Sequence, residues 1–243
     1  MRFADEGANR IYAADINVAN FETLQETFEK TYPNTKVTFV QLDVTDESAV
    51  KGLCERALDE AGRLDVFFAN AATFGAGAAS FDETPLAGFL ECLRVNVGGA
   101  FLALKHASPA IAQTNAASGK LRPGGSIIMT GSTAGMCGSD TPMEYCASKA
   151  AVHSLAMNGA HENTARSTGV RVNAVAPGPV GTDFLPAVLR PYVAKRPDVF
   201  CGPMEIANTV LFLASDESMF VNGQTIVIDN GLINRLALDK ILA

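Results

Sequence analysis

Residues 126–132, SIIMTGS, are followed at 144–160 by EYCASKAAVHSLAMNGA and at 170–176 by VRVNAVA, and these three stretches decide the fold. The outer two are short apolar runs of the kind that forms strands buried on both faces. The segment between them, from about Met143 to Thr168, is predicted to be a helix, so the unit reads strand, helix, parallel strand. Inside it, Tyr145 and Lys149 are four apart, which places phenol and ammonium one turn apart on one helix face. Ser132 ends the preceding strand thirteen residues upstream and can face them. A free tyrosine, with a pKa of about 10, is a poor acid or base at neutral pH, and a lysine beside it favours the phenolate. Such a trio can move a proton.

The alternation extends outward in both directions. RIYAADI (10–16) is strand-like and precedes a helix with Val18, Phe21, Leu24 and Phe28 on one side; VTFVQL (37–42) leads to a helix across SAVKGLCERALDEAG (48–62). DVFFANA (65–71) is followed by a long helix predicted from about Pro85 to Gln113. Apolar strands separated by helices indicate a parallel sheet covered on both faces, with ligands gathering outside the strands' carboxyl ends. Asp15, Asp43, Asn70, Ser132 and Pro177 all fall at such ends. TNAASGKLRPGG (114–125) reads as an enlarged surface loop between helix and strand. The whole of 1–243 is expected to form one domain, since a chain of this length can bury one large core.

NVGGAF with Asn96, SIIMTGSTAG with Ser132, YCASK with Tyr145 and Lys149, RVNAVAPGPVGTDF and GQTIVIDNG occur in the order in which similar landmarks occur in the short-chain dehydrogenase/reductase family. The chain resembles that family from its first residues to about Gly231. The resemblance implies an α/β, Rossmann-like, doubly wound parallel sheet in three layers. It implies a tetrad in which Tyr145 exchanges the proton with the substrate oxygen and Ser132 hydrogen-bonds that oxygen. Lys149 would lower the tyrosine pKa and hold the nicotinamide ribose, and Asn96 would fix a proton-relaying water. Asp43 and Val44 would flank the adenine, and Asn70 would line the cofactor cleft from ANAA, where the family usually has N-N-A-G. The segment Pro177, Gly178, Val180 and Thr182 would pass under the nicotinamide, with the Val180 backbone and Thr182 hydroxyl near its carboxamide.

One departure stands out. Family members open with a strand, a turn T-G-x-x-x-G-x-G and a helix whose later part reads like MRFADEGA, so this chain starts inside that helix. By that comparison roughly 20 to 30 residues are absent, and the sheet is expected to lack its usual first strand and the glycine-rich turn that cradles a pyrophosphate. The missing strand would lie between RIYAADI and DVFFANA. Either those two pair directly or a gap stays open between them. GAGAAS (75–80) is glycine-rich but no helix start follows it directly, and it reads as a loop near the substrate rather than a phosphate cradle.

Asp15 ends the first visible strand, where a carboxylate can accept both adenine-ribose hydroxyls and repel a 2′-phosphate; no Arg or Lys follows immediately, so NAD is expected over NADP. A helix cap is the competing use of Asp15 or Asn17, as it is of Thr45 or Asp46 in the LDVTD segment. Residues 184–202 combine apolar side chains with three prolines and suggest a substrate lid. Phe184, Leu185, Val188 and Phe200, with Phe74, Met136 and Met143, suggest an apolar alcohol or ketone as substrate, although core packing accounts for most of them equally well.

Composition excludes other classes. A net charge of -7 without a basic cluster argues against nucleic acid. No signal-peptide pattern and no apolar run of membrane-spanning length stand out, which makes a cytoplasmic protein without a membrane partner the expectation. Five cysteines with no C-x-x-C spacing disfavour disulfides and zinc. The three histidines fall in predicted helices, where exposed or capping roles are expected and no metal site. TGSTAG lacks the first glycine of a serine-hydrolase elbow. The long helices at 85–113 and 143–168 carry enough apolar residues to suggest a homodimer or homotetramer. The expected activity is hydride exchange between NAD(H) and a secondary alcohol or ketone. The alternatives are a cofactor-deficient pseudoenzyme and a lyase, isomerase or cyclase of the same fold.

Overall fold

The computed structural model describes residues 1–77, 80–139 and 141–234. After a single helical turn, α1 (Arg2–Asp5), the chain alternates β1 (Arg10–Asp15), α2 (Phe21–Thr31), β2 (Lys36–Gln41), α3 (Glu47–Ala61) and β3 (Val66–Ala69). Then follow α4 (Leu86–Leu93), α5 (Gly99–Ala112), β4 (Gly125–Thr130), α6 (Met143–Ala165), β5 (Val170–Pro177), α7 (Pro203–Ala214) and β6 (Thr225–Ile228). Every strand pair is parallel. The expected α/β Rossmann-like architecture is present.

The sheet is divided. β1 pairs with β2, and β3, β4, β5 and β6 pair in that order, but β1 and β3 share no ladder. Of the two expected outcomes, the gap stays open. It is bridged from both sides by helices. On one face, Phe3 of α1 packs against the same buried cluster as Val66 and Phe68 of β3, while its neighbour Ala4 packs with Phe28 and Val37 beside β1. On the other, Leu42, Val50 and Leu102 form a cluster that ties the end of β2 to α3 and α5. Between lies a cavity of about 130 Å³ lined by Ala14 and Asp15 from β1, Phe67 to Ala69 from β3, and Gly99, Ala100 and Ala103 of α5.

The four-stranded sheet holds the main core. Ile127 and Met129 of β4 and Val172 and Ala174 of β5 point to one face, where they meet Ala107 and Ile111 of α5 and Val152 and Ala156 of α6. Ile128 and Val175 point to the other and meet Val210 and Leu213 of α7. That division follows from the two-residue period of a strand, so a run apolar at every position is covered on both faces.

Several local expectations are corrected. α2 begins at Phe21, so Val18 lies before the helix and is exposed, as is Leu24, while Phe21 and Phe28 pack on Phe39. The predicted helix 85–113 contains a π turn at Arg94–Gly98, where α4 passes into α5. The combined run Leu86–Ala112 is long and apolar enough to cross a membrane, contrary to the sequence reading. Its Ala107, Ala110 and Ile111 belong instead to the core. The 114–125 loop is tethered through Lys120, whose buried ammonium donates to the carbonyls of Leu64 and, at 2.6 Å, Ile111.

Candidate active site

Asp46 accepts hydrogen bonds from the Ser48 and Ala49 amides and so caps α3, the competing use foreseen for its segment. Asp43 closes its own turn by accepting from the Thr45 amide and hydroxyl, which holds its carboxyl below the usual carboxylate range. Asp15 accepts the Asn17 amide on Oδ1 at 2.8 Å, and Oδ2 has no protein partner among the described residues. Asp15, Val44, Asn70, Asn96 and Thr130 all border the cavity between the sheets. Asp43 does not line it.

The four residues read as a tetrad come from three parts of the fold. Ser132 follows β4, Tyr145 and Lys149 lie on the first turns of α6, and Asn96 is in the π turn. All four are buried. Ser132 acts on the Tyr145 phenol in the direction that favours the phenolate, and the Lys149 ammonium lies 5.5 Å from the centre of the tyrosine ring. Lys149 Nζ donates to the Thr130 carbonyl at 2.7 Å, and the Thr130 hydroxyl donates to Asn70 Oδ1 at 2.9 Å. This chain of contacts joins Lys149 to the edge of the cavity.

The electrostatics differ from the sequence expectation. Burial pushes the Tyr145 phenol up to about 12, with Ser132 opposing, so the tyrosine stands above its ordinary value rather than below it. Burial pulls the Lys149 ammonium down to about 8. Desolvation disfavours whichever form is charged, hence the opposite signs for an acid and a base in one pocket. The phenol is therefore protonated at neutral pH and suited to give a proton to an oxygen.

Asn96 is committed to protein groups. Its Oδ1 accepts from the Thr73 amide at 2.7 Å, and Nδ2 donates to the Thr73 carbonyl and the Ser148 hydroxyl, both at 2.9 Å. Ser148 in turn donates to the Tyr145 carbonyl at 2.7 Å. A π turn is a frequent device at functional sites, and here it aims the asparagine between loop and helix.

Pro177 accepts from the Thr133 hydroxyl, and the Gly178 amide donates to Ile228. Val180 forms a parallel bridge with Cys201, and the Thr182 amide returns to the Val180 carbonyl. Pro177 ends β5 and the other three follow it, and none of the four borders the cavity that holds Asp15. In the 184–202 segment, Phe184 packs on Phe74 and Tyr145, with ring centres 5.7 and 6.1 Å away, and Phe74 lies 4.8 Å from Tyr145. Leu185 is buried, whereas Val188, Met136 and Met143 are exposed. Ala78 and Ala79 of GAGAAS lie outside the described residues.

His153 corrects the histidine reading. It is buried, its Nε2 accepts the Ser132 amide at 3.3 Å, and burial with Lys149 nearby lowers its pKa. A Cβ at Gly131 would stand 2.2 Å from that nitrogen, so only glycine fits there. The signal was in the spacing: 145, 149 and 153 fall one turn apart on one face.

A family model described as enoyl-(acyl carrier protein) reductase matches residues 1–233. The chain belongs to the short-chain dehydrogenase/reductase family. The 3-oxoacyl-(acyl-carrier-protein) reductase of Thermotoga maritima is 36% identical, over 95% of this chain and 90% of its own length. A cis-4-hydroxycyclohexanecarboxylate dehydrogenase of Sinomonas cyclohexanicum is 35% identical over 79% of this chain and 75% of its own. The solved structure of a short-chain dehydrogenase from Mycobacterium paratuberculosis bound to NAD superposes with a TM-score of 0.78 at 30% identity, covering 94% of this chain and 90% of that one. Oxidoreduction is thus the activity class of this short-chain dehydrogenase/reductase.

The residues present fit the two ends of a nicotinamide dinucleotide. Asp15 offers a carboxylate oxygen without a protein partner, and Lys149 uses one of its three N–H donors, leaving two for a ribose. For the pyrophosphate between them, no glycine-rich turn opening a helix borders the cavity among the described residues.

Proposed function

We propose that this protein exchanges a hydride between NAD(H) and an apolar secondary alcohol or ketone, with Tyr145 as general acid and base. The observation that carries this reading is the buried trio itself: a hydroxyl at the end of β4 and a phenol on α6, with an ammonium one turn further along that helix, 5.5 Å from the ring centre. In reduction, the protonated Tyr145 gives its proton to the substrate oxygen while the Ser132 hydroxyl hydrogen-bonds that oxygen. Lys149 holds the nicotinamide ribose and, through its charge, eases departure of the phenolic proton. The dinucleotide, when bound, supplies or accepts the hydride. His153 fixes the Ser132 amide, and Asn96 and Ser148 link Tyr145 to the 73–76 loop. Asp15 selects NAD over NADP by accepting ribose hydroxyls. The aromatic pair Phe74 and Phe184 beside Tyr145 supports an apolar substrate. The reading extends to a cytosolic homodimer or homotetramer, supported by five free thiols and by exposed Leu90, Phe101 and Met157 on the two long helices.

The open gap between β1 and β3 favours a second reading, a descendant of the fold that no longer holds the dinucleotide. Two measurements on the purified chain separate them: calorimetric titration with NAD and NADP, and NADH oxidation with cyclohexanone as probe. Saturable NAD binding with turnover supports the oxidoreductase. No binding at millimolar dinucleotide supports the second reading.

A further inference from the structure

Glu144 precedes Tyr145 on the first turn of α6 and has no exposed surface, yet no catalytic step uses it. Its Oε1 accepts the Ala76 amide at 3.0 Å, and its Oε2 has no hydrogen-bond partner among the described residues. A buried carboxyl with half its acceptor capacity unmet is costly, so its retention calls for a role. The loop it touches supplies one. Thr73 is gripped by Asn96 through both amide and carbonyl, Ala76 is gripped by Glu144, and between them Phe74 lies against the Tyr145 ring. Gly75 makes the grip possible. It has φ +87°, and a Cβ there would stand 2.5 Å from Glu144 Cγ and 2.6 Å from Oε1. The backbone at 75 and the side chain at 144 fit one another.

We propose that Glu144 is a positioning residue that clamps the 73–76 loop so that Phe74 forms one wall of the substrate pocket beside Tyr145. The site is pinned from two elements, the π turn at Thr73 and α6 at Ala76, which fixes the distance between wall and acid. A substrate entering against Phe74 is then held with its oxygen toward Tyr145 and Ser132, and releasing one pin widens the pocket without moving the acid. This role rests on the oxidoreductase reading, but the clamp can be measured apart from it.

The chain contains no tryptophan, so Phe74→Trp introduces a single reporter on the clamped loop. In that background, Glu144→Ala should red-shift the emission and raise acrylamide quenching, while Glu144→Gln, which keeps an acceptor for the Ala76 amide, should stay close to the parent. Gly75→Ala provides a second route, because its Cβ displaces the loop while leaving the buried carboxyl in place, and should reproduce the Glu144→Ala signal. In the Phe74 protein, Glu144→Ala should raise KM for cyclohexanone about tenfold, the scale of one lost hydrogen bond, with kcat little changed. Equal emission and quenching in all three reporter variants would overturn the clamp. So would a Glu144→Ala loss in kcat with unaltered KM. If no variant turns over, the catalytic reading fails while the fluorescence comparison still decides the clamp.

Discussion

The two sheets are built from similar sequence and reach different ends. β4 and β5 are paired on both edges and covered on both faces, and their residues are almost all buried. β1 and β3 each have one edge on the gap, and their residues reach only partial burial although RIYAAD and VFFA are as apolar as their counterparts. Apolarity drives a strand toward the interior, but closure of the layer requires a neighbour for every row of backbone N–H and C=O groups. The trio of Ser132, Tyr145 and Lys149, proposed to be catalytic, stands beside the completed sheet. Asp15, the residue read as facing the adenine ribose, stands on the other.

This contrast predicts unequal local stability. Amides of Ile127–Met129 and Val172–Ala176 should exchange with solvent on the order of 10³-fold more slowly than those of Ile11–Ala14, because opening of the two-stranded sheet breaks one ladder and a small cluster. Hydrogen exchange followed by mass spectrometry measures it, and matched protection would erase the distinction. A smaller effect concerns the residue that links the regions. Lys149→Met should lower cyclohexanone turnover about 10²-fold and weaken NAD binding as well, since one side chain serves both. Turnover lost with NAD affinity unchanged would confine Lys149 to the catalytic side.

Lys149 also leaves a pH signature in the free protein. Its pKa falls from 10.5 to about 8 on folding, so between those values the unfolded chain binds more protons and stability rises with pH. Tyr145 acts oppositely, moving from 10.0 to about 12, so its contribution falls as pH rises through that range. From pH 8 to 10, therefore, the melting temperature of the wild type should gain on that of Lys149→Met. A parallel course for the two proteins would show that the ammonium is not desolvated. Smallest in effect, Asp15→Ala should relax discrimination against NADP by roughly 1 to 3 kcal/mol, read from paired titrations. A wild-type preference for NADP would remove Asp15 from the ribose.

Much of this was legible because periodicity and spacing are local. The apolar runs at 126–130 and 170–176 gave β4 and β5, and the four-residue interval gave Tyr145 and Lys149 on one face of α6. The open gap was foreseen as one of two outcomes, but only tertiary packing of Phe3, Ala4 and Leu102 shows how helices bridge it. The π turn was not visible, since its residues have no composition that separates it from the α-helix around it. His153 and Glu144 were missed for a different reason. The shared helix face of residues 145, 149 and 153 could be read from spacing, but the roles of His153 and Glu144 depend on glycines at 131 and 75 that make room for them, and those contacts, 22 and 69 positions apart, leave no trace in it. The direction of the tyrosine pKa also depended on burial, which outweighed the opposing effect of Ser132.

The central claim is that the completed sheet carries a working proton donor, and Tyr145→Phe tests it most directly. The substitution removes one hydroxyl and keeps the ring that Phe74 and Phe184 pack against, so the fold should be retained with an unchanged circular-dichroism spectrum. NADH-dependent turnover of cyclohexanone should fall by about 10² or more, the usual worth of a general acid. Turnover within about threefold of wild type would contradict the claim.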